Sequence, residues 1–345
     1  MATPHPYANL PENRFWKTGV TNQNPLFIES IYKKKWSIKK SDRICTAGSC
    51  FAQHITNRLK PFGFNIIDYE PPPNILDKSE YIKHGFSQYS CRYGNIYTVR
   101  QLLQLVYEAF GEHKPQDYIW EKDNRFYDAL RPNIFPNGLS CPEEVSLLRK
   151  SHLSKVKKAF LDMDVFIFTL GLTESWFNQV SDTVYPTCPG VIAGKYDPNK
   201  YSFVNYDYIA ILNDLKSLFS ILKKYRKRGV KTILTVSPVP LTATATSLHI
   251  LQAVAYSKSV LRAVAGYLSS QLNSVDYFPS YEIVNNPMLH GVAFEANGRT
   301  VKPQIVDIVI QHLFKEHSPY VNTKGLSSLD VSDVACEELL LEEFA

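Results

Sequence analysis

The sequence predicts an α/β domain in three layers, a parallel sheet covered by helices on both faces. Three observations predict it. Short apolar runs alternate along the chain with helix-length segments whose apolar residues recur at helical spacing. Several of the runs are apolar without alternation, as strands buried on both faces are. The chain, 345 residues with 44% hydrophobic and 21% charged, also carries enough apolar content for such a core.

The elements read in order as follows. Residues 43–47 (RICTA) form a short strand. Residues 50–60 follow with Phe51, Ile55 and Leu59 on one helical face, and Gly63 stops them. Residues 64–68 (FNIID) read as a second strand, which makes a βαβ unit. Residues 149–163 place Leu153, Val156 and Phe160 on one face, ahead of a buried strand at 164–170 (DVFIFTL). Residues 208–225 place Leu212, Leu215, Phe219 and Leu222 together, with Gly229 as the cap and 231–236 (KTILTV) as the next strand. A long helix at 252–273, a strand at 275–278 and a last core helix at 303–315 complete the pattern. The irregular stretches 71–74, 117–142 and 186–205 read as insertions over the sheet edge. The chain divides into an extension (1–23), the α/β domain (24–316) and an acidic tail (317–345). In that tail 334–344 has the pattern of one short amphipathic helix.

Composition narrows the function. A net charge of +5 is mild, and no nucleic-acid motif accompanies it. The basic clusters at 223–228 (KKYRKR) and 150–158 read as solvated helix faces. The first twenty residues hold no apolar run of signal length, and no run approaches 18 apolar residues. The chain therefore reads as cytoplasmic, without a membrane span. Six scattered cysteines with no CxxC pair read as free thiols, not a disulfide scaffold or a zinc site. A GxGxxG or phosphate loop is also missing, so no cofactor or metal is expected.

In a parallel sheet, functional loops gather at the carboxyl ends of the strands. Those loops here are Gly48-Ser49-Cys50, Gly171-Leu172-Thr173-Glu174, Ser237-Pro238-Val239-Pro240 and Pro279-Ser280-Tyr281-Glu282. The first turns a strand into a helix. A helix N-terminus offers unpaired N–H groups and partial positive charge, which stabilise a thiolate and bind an oxyanion. Ser49 stands at the expected N-cap and Cys50 at the first helical position. The plain alternative is a capping serine and a packed cysteine.

The run TAGSCFAQHI (46–55) resembles the signature of the GSCFA family. RYGNIYTVRQLLQL (92–105), FTLGLTESW (168–176), VYPTCPG (184–190), VSPVPLTATAT (236–246), YSKSVLRAVAG (256–266) and YFPSYEIV (277–284) resemble further segments of that family in the same order. The family is regarded as related to the SGNH (GDSL-type) hydrolases. The resemblance thus implies a flavodoxin-like fold and an ester-handling activity.

The implied roles follow from the GDSL-type blocks. Gly48 aligns with the block's glycine, Ser49 with its aspartate and Cys50 with its nucleophilic serine. This favours Cys50 as nucleophile, with Ser49 as N-cap, second oxyanion donor or alternative nucleophile. Gly94 would donate to the oxyanion and Asn95 could add a donor. Gly171 opens the third block, where Thr173 stands in place of the usual asparagine and Glu174 follows. The Asp-x-x-His before the last helix is missing. The general base is left between His249 and His290, with His54, one turn after Cys50, read as a partly buried helix residue. Asp276 and Glu282 flank the last strand and could orient a base. Lys258 and Arg262 could hold an anionic substrate. The expectation is an acyl-ester hydrolase or acyltransferase working on a glycan or small-metabolite acyl ester, with a possible separate acyl donor. The competing expectation is a non-catalytic descendant of the same fold that binds a glycan or partner.

Overall fold

The computed structural model describes residues 5–317 and 337–344. Its elements are β1 (Ile44–Gly48), α1 (Phe51–Leu59), α2 (Val99–Phe110), β2 (Ile119–Lys122), β3 (Arg125–Asp128), α3 (Pro142–Asp162), β4 (Val165–Leu170), β5 (Glu174–Asn178), β6 (Val184–Tyr185), β7 (Tyr201–Asn205), α4 (Tyr208–Tyr225), β8 (Lys231–Val236), α5 (Ile250–Gln271), β9 (Val275–Phe278), α6 (Ser280–Val284) and α7 (Pro303–His317). Four strands make a parallel sheet in the order β1-β4-β8-β9.

Alternate residues of these strands feed two cores. Ile44, Val165, Ile167, Ile233 and Phe278 face α1, α6 and α7. Cys45, Ala47, Phe166, Phe168, Leu234 and Val236 face α2, α3, α4 and α5. The expected layers of helix, sheet and helix are present. Among the described residues, no helix is long and apolar enough to cross a membrane.

Residues 64–68 do not make a full strand. They contribute one parallel bridge, Ile66 to Ile44, held by Ile44 N to Asn65 O at 2.8 Å and Ile67 N to Ile44 O at 3.0 Å. That bridge still fixes the topology. The chain leaves β1 toward its outer side, then returns to place β4 on the other. The crevice between the ends of β1 and β4 is the point where strand order reverses, the favoured ligand position in such sheets.

Other expectations change in detail. Gly229 does not cap α4; the helix ends at an extended Arg226. Arg226 is buried rather than part of a solvated face, because its guanidinium donates to Phe160 O and Leu161 O at the end of α3. The insertions carry strands of their own: β2 and β3 form a hairpin within 117–142, and β7, from 186–205, joins β5 and β6 outside it in an antiparallel sheet rooted just beyond the end of β4. Trp120, Tyr127, Tyr185 and Tyr201 pack these two units together. In the tail, Glu337–Phe344 is a 3₁₀ helix, while 334–336 lie outside the described residues.

A buried charge network pins the hairpin to the helices. Arg149 of α3 reaches Asp128 at 2.9 Å and the carboxylate of Glu108 on α2. Arg131 reaches Asp128 at 2.7 Å. Burial opposes ionisation of Asp128, yet Arg149 and Arg131 hold its carboxyl below the ordinary value. Removing one partner of a buried pair leaves charge without compensation, which costs about 3–5 kcal/mol. Arg149→Met is expected to lower unfolding free energy by that amount in a urea titration. A loss below about 1 kcal/mol would place the anchoring of the hairpin elsewhere.

Candidate active site

The corner at the end of β1 is built by close backbone approach. Gly48 has φ +141°, and a Cβ there would lie 2.5 Å from Thr169 O of β4. Gly171 has ordinary torsions but no space, since a Cβ would meet Tyr97 O at 2.9 Å and Ser49 Cβ at 3.0 Å. The segment around Tyr97 lies alongside, with Ile96 N donating to Gly48 O at 2.8 Å and both Gly171 N and Leu172 N donating to Tyr97 O at 3.1 Å. Gly48, Ser49, Gly171 and the 94–97 segment are therefore brought together. Gly94, at φ +68°, supplies the left-handed turn in that segment.

Ser49 and Cys50 do not take their expected helical roles. Cys50 is the residue that starts α1, and no side chain caps the helix. The backbone carbonyl of Ser49 accepts from Ala52 N at 2.8 Å. The hydroxyl of Ser49 is buried and, among the described residues, has no hydrogen-bond partner. A buried polar atom without a partner is uncommon, and each calls for a reason. Cys50 is 6% exposed, and its thiol is free of any disulfide.

The neighbouring groups divide into those available and those committed. Thr173 N donates to Ser257 Oγ at 3.1 Å and its hydroxyl to Asn205 Oδ1 at 2.6 Å, so neither donor of Thr173 faces an oxyanion. The Asn95 side chain accepts from Gln53 and donates to Tyr97 OH at 3.2 Å. It braces the corner from behind. Glu174 accepts from Thr244 Oγ1 at 2.6 Å and Ala245 N at 3.2 Å, which ties the loop after β8 to the start of β5. Burial raises its pKa against those bonds. Glu282 is held by Arg262 at 2.5 Å and Tyr277 OH at 2.7 Å. Asp276 accepts from Tyr32 OH at 3.0 Å and Lys35 N at 3.0 Å, anchoring the chain ahead of β1.

No histidine is arranged as the expected base. His249 is exposed and caps α5, its Nδ1 accepting from Leu251 N at 3.2 Å. His290 is exposed in the left-handed conformation that closes the turn Pro287–Leu289. His54 stacks edge-on against Phe51 and faces Arg58 at 3.3 Å. Burial and the Arg58 charge push its pKa down and keep it neutral.

The group that does reach the corner is Lys258 of α5. It is 2% exposed, and its Nζ donates to Gly171 O at 2.7 Å. Burial pushes its pKa down to about 8, helped by Arg299 and opposed by the charges of Glu338 and Cys50. His249 lies nine residues earlier on the same helix, about 13 Å along the axis at 1.5 Å per residue. One amino group thus touches the glycine that packs on Ser49 and lies within electrostatic reach of Cys50. Sequence reading named Lys258 only as an anion-binding candidate. Its position inside a family-like segment, on an otherwise apolar helix face with Leu261 and Val264, was the available signal.

A family model matches residues 43–313. The chain belongs to the GSCFA family. The five letters of that name are Gly48-Ser49-Cys50-Phe51-Ala52, the corner just described, and the GSCFA match spans β1 through most of α7. No curated protein and no solved structure matches the chain.

The glycine requirement is testable. Gly171→Ala forces backbone or Ser49 to move, a steric cost of about 1–3 kcal/mol. The denaturation midpoint should fall accordingly with the slope unchanged. A midpoint equal to wild type would mean that the corner has slack.

Proposed function

We propose that this chain is an acyl-ester hydrolase or acyltransferase of SGNH-like type, with Cys50 as nucleophile and Lys258 as its base. The observation that carries the reading is a fully buried lysine at the same strand-to-helix corner as the family's cysteine. The reversal of strand order at that corner, with helices on both sheet faces, supports the SGNH-like relation.

The amine of neutral Lys258 accepts the Cys50 proton. The thiolate then attacks the ester carbonyl carbon, forming a C–S bond and a tetrahedral oxyanion. The N–H of Phe51 at the start of α1, aligned with the helix dipole, and the unpartnered Ser49 hydroxyl are the donors for that oxyanion. Collapse breaks the C–O bond, and the leaving alkoxide takes the proton from the Lys258 ammonium. A water or an acceptor hydroxyl, deprotonated by Lys258, then attacks the thioester and releases Cys50. Tyr97, Leu172 and Leu241, with Ile250 and Val254 against them, form a small apolar wall beside Gly171, suited to the acyl chain or sugar face of a glycan or small-metabolite ester.

One observation favours the competing reading of a binding protein without turnover. Thr173, at the position of the usual asparagine donor, has its hydroxyl and N–H committed inside the fold.

The pH dependence separates the two. Lys258 has its pKa lowered from 10.5 to about 8, so the folded state disfavours its proton. Between those values the unfolded chain binds more protons, and this residue's contribution to stability rises with pH across that window. Below it the fold carries the whole cost. Hydrolysis of p-nitrophenyl acetate is expected to rise with pH through about 8 and to vanish in Cys50→Ala. Lys258→Met should lower the rate by roughly 10²–10⁴, the usual worth of a general base, without lowering the melting temperature. Loss of activity in His249→Ala, with Lys258→Met fully active, would return the base to histidine. No turnover in wild type with these or longer acyl esters would favour the binding protein.

A further inference from the structure

An ion pair outside this machinery lies at the same sheet edge. Arg299 lies in the loop between α6 and α7. Its Nε donates to Pro240 O at 3.2 Å, in the loop that leaves β8 at the same sheet edge. Its Nη2 lies 3.1 Å from Glu338, and its Nη1 lies 3.5 Å from Glu342. The side chains of Arg299 and Glu338 are only 11% and 13% exposed, whereas Glu342 is 52% exposed. Glu338 belongs to the tail helix Glu337–Phe344, joined to α7 through residues 318–336. Its negative charge also acts on Lys258, where Arg299 acts with the opposite sign. A tail carboxylate is therefore paired with Arg299, which is itself tied to the Pro240 loop at the carboxyl edge of the sheet.

We propose that Arg299 forms a subsite for a carboxylate carried by the substrate, and that Glu338 is its intramolecular occupant. The inference rests on the reading of Cys50 as nucleophile and adds to it a substrate class and a regulatory contact. A guanidinium fork matches a carboxylate bidentately, and the loop carbonyl of Pro240 fixes its plane. A tethered occupant acts at millimolar effective concentration. A free carboxylate substrate must exceed that level or displace the tail by binding more groups. Glu338 is then a competitive brake, relieved when the tail is bound elsewhere.

Alkylation of Cys50 by iodoacetate and by iodoacetamide, followed by peptide mapping, separates charge from reactivity. The two reagents form the same C–S bond and expel iodide, and only iodoacetate carries a carboxylate. Glu338→Gln should raise the ratio of iodoacetate to iodoacetamide rates at Cys50 about tenfold, the effect of one partly buried charged hydrogen bond. Adding Arg299→Gln to that variant should return the ratio to the wild-type value. An unchanged ratio in Glu338→Gln, with Cys50 labelled, overturns the subsite and leaves the nucleophile standing. Should neither reagent label Cys50 in either protein, the nucleophile reading falls. The subsite is then decided by melting in acetate against chloride at equal ionic strength. Selective stabilisation of Glu338→Gln by acetate supports it, and equal shifts in both proteins overturn it.

Discussion

The buried amino group of Lys258 is the constraint on which the site depends. A lysine taken wholly out of water loses its charge unless other charges hold it. Here the carbonyl of Gly171 receives it, and the nearby acidic groups are a thiol and a tail carboxylate. An apolar side chain would fill the same volume at lower cost. In the proposed mechanism its neutral amine, favoured because burial pushes the pKa down to about 8, takes the proton of Cys50.

Everything else at the corner serves proximity. Gly48 and Gly171 remove the two side chains that would hold β1, β4 and the Tyr97 segment apart. With them gone, the first turn of α1 drops into the crevice where strand order reverses, and the lysine of α5 meets the loop that follows β4. The Asn95 network with Gln53 and Tyr97 holds the strand-to-helix turn from its other side. The charge network of Asp128, Arg131 and Arg149 sits farther back, and fixes the hairpin against α3.

The sequence was most legible where local pattern and tertiary environment agree. Residues 208–225, 231–236 and 275–278 have the bounds that periodicity and apolar runs predict, because a capping Asp207 and largely buried strands mark their limits. The helix α2 went unread, although Thr98 caps it through Gln101 N. Strand β7, YSFVN, mixes polar and aromatic residues at a partly exposed edge, which resembles an irregular insertion when read alone. Residues 64–68 fell short of a strand because only Ile66 meets β1. The corner at Gly48-Ser49-Cys50 was visible, since the turn and its small residues are local. The lysine proposed as its base was not. Lys258 and Gly171 are 87 positions apart, so their contact leaves no local mark, and only the apolar face around Lys258 hinted at its burial. The departure from the expected cap has the same origin. Ser49 looks like a capping residue until Thr169 O takes its N–H and its carbonyl joins the helix.

The central claim is that Lys258 gives up its proton near neutral pH because the fold buries it beside Cys50. The direct measurement is an NMR titration of the lysine ¹³Cε and ¹⁵Nζ signals, with Lys258 assigned by its loss in Lys258→Met. The account predicts one lysine titrating near pH 8, perturbed when Cys50 is replaced by alanine. A Lys258 signal that titrates with the surface lysines, indifferent to Cys50, would contradict it.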